Sequence, residues 1–152
     1  IVTRSFSKGR GLAGARLGYA IAHPETAPAV SGLVLPGSVS ALSVLAGQAS
    51  LAEDPADYDH RIQDIRTRRA DLAEWLRGQG LDPWDSQANF VFTTGFTRPA
   101  EIADALADRG IVVRAVLDEP GLASGLRISV GSEAEISALK HSLHEIVSSL
   151  RG

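Results

Sequence analysis

The groups able to do chemistry crowd into one short stretch, Arg4-Ser-Phe-Ser-Lys-Gly-Arg-Gly-Leu-Ala-Gly-Ala-Arg-Leu-Gly-Tyr19. Ser5 stands three residues before Lys8, Ser7 directly before it and Arg16 eight after it, with Gly9, Gly11, Gly14 and Gly18 between and beyond. Hydroxyls, a permanently charged planar guanidinium and glycine-exposed amides together suit a cluster of phosphate oxygens. Lys8 could serve there as a point charge. It could also react, because a lysine whose pKa is lowered is a neutral amine that condenses with an aldehyde.

Plainer readings compete. A basic, glycine-rich run also has the composition of a solvated loop or a generic anion or nucleic-acid patch. The apolar Leu12, Ala13 and Leu17 inside the run count against this, since a purely electrostatic loop has no use for them. A nucleotide P-loop fits poorly, because the Gly-Lys-Ser/Thr order is absent and Lys8 precedes its glycines. Farther along, Arg114 and Arg127 fall on expected strands, and a strand arginine such as that in Leu126-Arg127-Ile128 faces either solvent or a cleft. Asn89, in Ala88-Asn89-Phe90, reads equally as a turn residue at a strand start or a ligand contact. His23, His60, His141 and His144 lack metal-ligand spacing with acids on a shared face, His141 and Glu145 apart, and read as surface residues with no metal implied.

The order Ser-x-x-Lys followed by Gly-Leu-Ala-Gly-x-Arg-Leu-Gly-Tyr resembles the cofactor-lysine motif of the class I/II (fold type I) pyridoxal-phosphate aminotransferases. The likeness is nearest to the histidinol-phosphate aminotransferases and their relatives. It implies that Lys8 carries pyridoxal 5′-phosphate covalently, that Ser5 and Arg16 bind the cofactor phosphate, and that Ser7 is a further hydroxyl on the phosphate side. Gly125-Leu-Arg-Ile-Ser-Val-Gly131 is similar to a C-terminal element of the family. Its arginine, here Arg127, pairs with the substrate carboxylate or, in the histidinol-phosphate branch, helps bind the substrate phosphate beside the counterpart of Arg114. Asn89 matches a recurrent small-domain position.

The resemblance further implies amino-group transfer between an amino acid or amino phosphate and a 2-oxo acid, in a homodimer. The family's aspartate, asparagine, tyrosine and aromatic contacts to the cofactor ring lie upstream of the lysine and have no counterpart in this sequence. Other readings stay open: an aromatic or other amino-acid aminotransferase, a threonine-phosphate decarboxylase-like lyase, or a non-catalytic interaction module. The first residues are Ile1-Val2-Thr3-Arg4, without an initiator methionine. The expectation is therefore the C-terminal part of a longer protein.

Composition adds exclusions. The 152 residues are 44% hydrophobic and 22% charged, the balance of an ordinary globular domain. A formal net charge of −3 argues against bulk affinity for nucleic acid or an anionic membrane. There is no cysteine, hence neither a disulfide framework nor a thiolate metal site. No apolar run approaches a membrane span. A cytoplasmic location is the expectation compatible with these facts.

The elements that must position the chemistry follow from pattern. Ile1–Arg4 reads as the end of a buried strand and Leu17–Ala22 as a strand buried on both faces, as in a mostly parallel sheet. Helices are expected from Pro24 toward Gly32, from a Ser38 cap through Ala52, and from Pro55, capped by Asp54, to Gly78. Gln79–Trp84 reads as a turn cluster and Asn89–Thr94 as a strand. A helix over Pro99–Arg109 closed by Gly110, strands over Ile111–Arg114 and Leu126–Val130, and a last helix behind the capping box Ser132/Glu135 complete the chain. Together with the resemblance, this implies an α/β fold class: residues 1–73 as the end of a cofactor-binding large domain with its crossover helix, residues 74–152 as a small α+β domain.

Overall fold

The computed structural model describes residues 1–151. The chain divides into two compact units, the first Ile1–Ile62 and the second beginning at Gln63.

In the first unit, strand β1 (Val2–Ser5) pairs antiparallel with β2 (Gly18–Ile21), in the register Val2↔Ile21 through Ser5↔Gly18. Both strands are exposed along their length, which corrects the expectation of strands buried on both faces in a mostly parallel sheet. An apolar run shows that a strand is able to be covered; it does not say that the described residues cover it. Helix α1 is a short piece, Ala27–Ser31, that begins after a turn at His23 rather than at Pro24. Helix α2 spans Ala41–Leu51, and its cap is Ser40, whose Oγ accepts the Ser43 N–H at 3.1 Å. Ser38 was the expected cap; Ser40 has the extended backbone an N-cap requires. Helix α3, Pro55–Gly78, starts where expected, with Asp54 Oδ1 accepting the Ala56 N–H at 2.9 Å. It runs across the division between the units.

The second unit is a four-stranded antiparallel sheet in the order β3-β4-β6-β5, where β3 is Asp82–Pro83, β4 Phe90–Thr94, β5 Arg114–Val116 and β6 Gly125–Ser129. Strand β3 falls inside the expected turn cluster; it is a two-residue edge strand, the place where Pro83, lacking a donor, is tolerated. Strand β5 begins where a strand over Ile111–Arg114 was expected to end. Helices α4 (Pro99–Ala107) and α5 (Glu133–Arg151) pack with the Leu72/Leu76 stripe of α3 onto one sheet face. The period of two sorts the strands: Val91, Leu126 and Ile128 join Ile102, Leu106, Ile136, Leu139, Leu143 and Ile146 in the core. Phe90, Phe92 and Arg127 alternate with them and fall on the other face. The capping box forms as read from sequence: Ser132 N–H donates to Glu135 Oε2 at 2.7 Å, and Glu135 N–H to Ser132 Oγ at 3.3 Å.

Candidate functional site

The lysine loop is the connection of the β1–β2 ribbon. Pairing runs one step past the strands, with Phe6 N–H donating to the Leu17 carbonyl at 3.1 Å, so Ser7 and Arg16 stand at the two sides of the loop's base. The chain then folds back on itself: Gly11 N–H donates to the Lys8 carbonyl and Leu12 N–H to the Phe6 carbonyl, both at 3.0 Å. Lys8 thus opens a tight turn. A single-turn 3₁₀ helix, Ala13–Ala15, leads to Arg16.

What holds the loop is the apolar residues threaded through it. Phe6 is 6% exposed and meets the Tyr19 ring edge-on at 5.9 Å. Helix α2 lies against it through Gly47, where a Cβ would fall 2.4 Å from Leu17 Cδ2, so a larger residue there would force the Leu17 side chain to move. Of the apolar residues embedded in the run, Leu12 and Leu17 are only half-buried and Ala13 is exposed; the buried one is Phe6. The large apolar residues of α2 are otherwise open: Leu42 and Leu45 are exposed, and Gly47 is the helix's buried residue.

Above this support stand the polar groups. Ser5 Oγ accepts the Ser7 N–H at 3.0 Å, a local turn that leaves the hydroxyl proton free to donate. Lys8 is exposed, with no carboxylate partner among the described residues. Arg16 has φ +51° and ψ +40°, the left-handed region. That conformation costs a non-glycine residue about 1–2 kcal/mol and clusters where function over-determines geometry. Its guanidinium donates to the Ala13 carbonyl at 2.9 Å, which leaves other N–H groups of the fork unused. No Asp or Glu precedes Glu25 in the sequence. Two hydroxyls, a lysine and an arginine with no acid among them fit a phosphate monoester that bears a reactive aldehyde.

The second unit carries a pair of facing arginines. Arg114 and Arg127 are direct Cα partners on β5 and β6, so they share one sheet face. Neither meets a carboxylate among the described residues. Like charges directly opposite are destabilising without a shared anion. Arg127 lies with its Cζ 4.9 Å from the centre of the Phe90 ring, and its Nε is buried without a hydrogen-bond partner. Phe92, edge-on to Trp84 at 5.2 Å, walls the same face. Asn89 is half-buried just before β4; its carbonyl accepts the Val130 N–H at 2.9 Å, and its side chain makes no hydrogen bond among the described residues. The bend before it is pinned by Ser86 Oγ, donating to the Phe90 carbonyl at 2.6 Å, and by Arg69, donating to the Ala88 carbonyl at 2.8 Å.

Sequence reading brought out Ser5, Ser7, Lys8, Arg16, Asn89, Arg114 and Arg127. It missed Arg69 and the group around Arg10, because their partners are far along the chain and no spacing rule reaches them. The four histidines are exposed. Among the described residues, no three His, Asp or Glu side chains gather as metal ligands, and no helix is long and apolar enough to cross a membrane.

Comparison with known proteins gives this arrangement its family. The profile of the family described as Aminotransferase class I and II matches residues 1–143. The chain is 35% identical over 147 residues to a histidinol-phosphate aminotransferase of Paenarthrobacter aurescens, covering 97% of this chain and 38% of that protein. It is 41% identical over 141 residues to an aromatic amino acid aminotransferase of Streptomyces coelicolor, covering 91% and 37%. Among solved structures it superposes on histidinol-phosphate aminotransferase from Sinorhizobium meliloti in complex with pyridoxal-5′-phosphate, with a TM-score of 0.78 and 32% identity over 97% of this chain and 41% of that one. The chain therefore belongs to the class I and II aminotransferases, a family whose cofactor is pyridoxal phosphate. Its fold is the α/β fold of those enzymes. It spans about two fifths of the length of the relatives it matches.

Proposed function

We propose that the protein transfers an amino group between an amino acid or amino phosphate and a 2-oxo acid, in the manner of a histidinol-phosphate aminotransferase. The observation that carries this reading is Lys8 itself: an exposed amine with no carboxylate partner among the described residues, set among Ser5, Ser7 and Arg16 in a segment without an acid. Pyridoxal phosphate, when bound, supplies the aldehyde carbon and the electron-accepting ring. Ser5 and Ser7 donate hydroxyls to its phosphate, and Arg16 supplies the charge. Lys8 would serve as the base that moves a proton at the substrate α-carbon. Arg127, with Arg114 opposite, takes the carboxylate or phosphate of the substrate, for which a planar fork is suited. Asn89 adds a polar contact to the substrate. We further propose that the working form is a homodimer.

A second reading has its own support. Phe90, Phe92 and Trp84 flank the arginine face, and the Streptomyces coelicolor relative is an aromatic amino acid aminotransferase. A panel of histidinol phosphate, phenylalanine and aspartate on the product of the complete reading frame separates the two. Preference for histidinol phosphate is expected, and preference for phenylalanine selects the aromatic reading. Lys8→Ala should lower turnover by at least ~10²–10⁴-fold and remove the visible band of the lysine-bound cofactor. Undiminished turnover in that variant would overturn both.

A further inference from the structure

Lys8 is flanked by two anchors, one at Phe6 and one at Arg10. The first is apolar and already described. The second is a polar latch to the corner between α2 and α3. The Arg10 guanidinium lies over the Tyr58 ring, its Cζ 3.9 Å from the ring centre. One of its nitrogens donates to the Ser50 carbonyl at 2.7 Å and reaches Glu53 Oε2 at 3.4 Å. Ser50 belongs to the last turn of α2, where carbonyls lack intrahelical donors and the helix dipole favours a cation. Glu53 is in turn gripped by the Arg61 fork, with one bond to Oε1 and one of 2.7 Å to Oε2. That grip holds the Glu53 carboxyl below its ordinary range. The backbone beside Arg10 is tight as well: a Cβ on Gly9 would fall 3.0 Å from Tyr58 Oη and 3.7 Å from Ile62 Cδ1.

No ordinary loop arginine needs this much. A guanidinium two residues from Lys8 is set over a ring, hydrogen-bonded and ion-paired at once, while the Lys8 side chain has no partner among the described residues. The two anchors hold the chain on both sides of Lys8. We propose that Arg10, seated on Tyr58 and tied to Ser50 and Glu53, is a positioning residue that sets where the Lys8 amine stands. Arg10 touches neither cofactor nor substrate in this role and acts through the backbone of Lys8 and Gly9. The inference rests on the reading of Lys8 as the cofactor lysine. Of the latch residues, only Arg10 lies in the lysine run, and nothing in its spacing distinguishes it from the other basic residues there.

The test compares Arg10→Ala, Arg10→Lys and Tyr58→Leu with the parent and with Lys8→Ala, all as products of the complete reading frame. One readout does not need turnover: the rate at which borohydride fixes pyridoxal phosphate on Lys8 of the apoprotein, followed by peptide mapping. There the amine and the aldehyde join with loss of water, and hydride reduces the resulting double bond to a stable secondary amine. Arg10→Ala should slow fixation at Lys8 about tenfold, as expected when a reacting group is misplaced by a fraction of an ångström. It should lower kcat by a similar factor and leave the amino-substrate KM within about twofold. Arg10→Lys, which keeps charge but not the flat fork, should recover part of the loss, and Tyr58→Leu should reproduce part of it. Pyridoxamine phosphate, which has no aldehyde, should bind all three equally. Fixation and kcat at parental values in Arg10→Ala, with Lys8→Ala dead, would overturn the positioning role while leaving the lysine assignment intact. So would losses in Arg10→Ala and Tyr58→Leu that follow only the fraction of folded protein. An active Lys8→Ala would instead remove the reading on which the inference stands.

Discussion

The two units solve the problem of burial in opposite ways. From Gln63 onward the chain closes a core: Leu72, Leu76, Leu106, Leu126, Ile128 and Leu143 are fully buried between one sheet face and three helices. In Ile1–Ile62 the one large hydrophobic residue that is buried is Phe6, while Leu33, Leu35, Leu42, Leu45 and Leu51 are exposed. The first unit has no shortage of apolar residues, yet it spends its tightest packing, Phe6 and Leu17 against Gly47, on the lysine loop. Order in this unit is concentrated under its chemistry. In the second unit the core sits behind one sheet face, and the arginines occupy the other.

A core deletion sharpens the contrast most. Leu126→Ala removes a fully buried side chain between β4 and β5 and should cost about 2–5 kcal/mol in urea unfolding of the second unit. Leu42→Ala, exposed on α2, should change stability by no more than about 0.5 kcal/mol. An equal cost at both positions would show the α2 face covered in solution, and the comparison would fail.

Arg16→Ala comes next. Because the phosphate it is proposed to hold keeps its charge through the reaction, removal should weaken cofactor binding by about 1.5–3 kcal/mol, the range for a charged hydrogen bond, with kcat at saturating cofactor little changed. Relief of the left-handed backbone at this position works the other way only if glycine is introduced, so Arg16→Gly should be more stable than Arg16→Ala. Unchanged cofactor dissociation in Arg16→Ala would break the assignment of the first unit's anion site.

Arg127→Lys probes the second unit's. An ammonium keeps the charge but loses the planar fork and the stacking on Phe90. The expected result is a rise in KM for the amino substrate of about tenfold, equal to ~1.4 kcal/mol, with the visible cofactor band unmoved. Loss of cofactor with unaltered KM would place Arg127 with the wrong ligand.

How much of this was legible beforehand divides along the same line. Capping chemistry is local, so Asp54 and the Ser132/Glu135 box read correctly from a few adjacent residues. The lysine motif is also local, though the residue buried beneath the loop is Phe6 rather than the embedded Leu12, Ala13 or Leu17. Apart from local slips such as Ser38 for Ser40 and Pro24 for the start of α1, what failed was decided by distant chain. Leu17–Ala22 is apolar enough for a buried strand, but the sequence does not say which other strands are present to bury it. The short β3 hides in a turn-like composition because an edge strand of two residues needs only a partner, here Thr93 and Thr94, and no pattern of its own. Arg10 looked like one more loop charge because its partners Ser50, Glu53 and Tyr58 lie some forty residues away or more.

The smallest effect tests the best-read local feature. Two hydrogen bonds from Ser132, first from its backbone N–H and then from its hydroxyl, lower the Glu135 pKa below its ordinary value. A carboxyl whose pKa is depressed on folding adds stability that is fully present above the unfolded value. That contribution is lost as pH falls through the folded value. The start of α5 should therefore loosen only on the acid side of the ordinary glutamate range, and its amides should show no such dependence near neutrality. Glu135→Gln keeps the shape of the box and removes the titration, so it should flatten the acid limb of α5 hydrogen exchange. Ser132→Ala removes the hydroxyl and should cost about 1 kcal/mol at any pH above that range. Because α5 supplies Ile136, Leu139 and Leu143 to the core, the acid-induced loosening should appear in the second unit and leave the lysine loop unaffected. Parallel acid loosening of both units in the parent and in Glu135→Gln would mean that the box does not govern it.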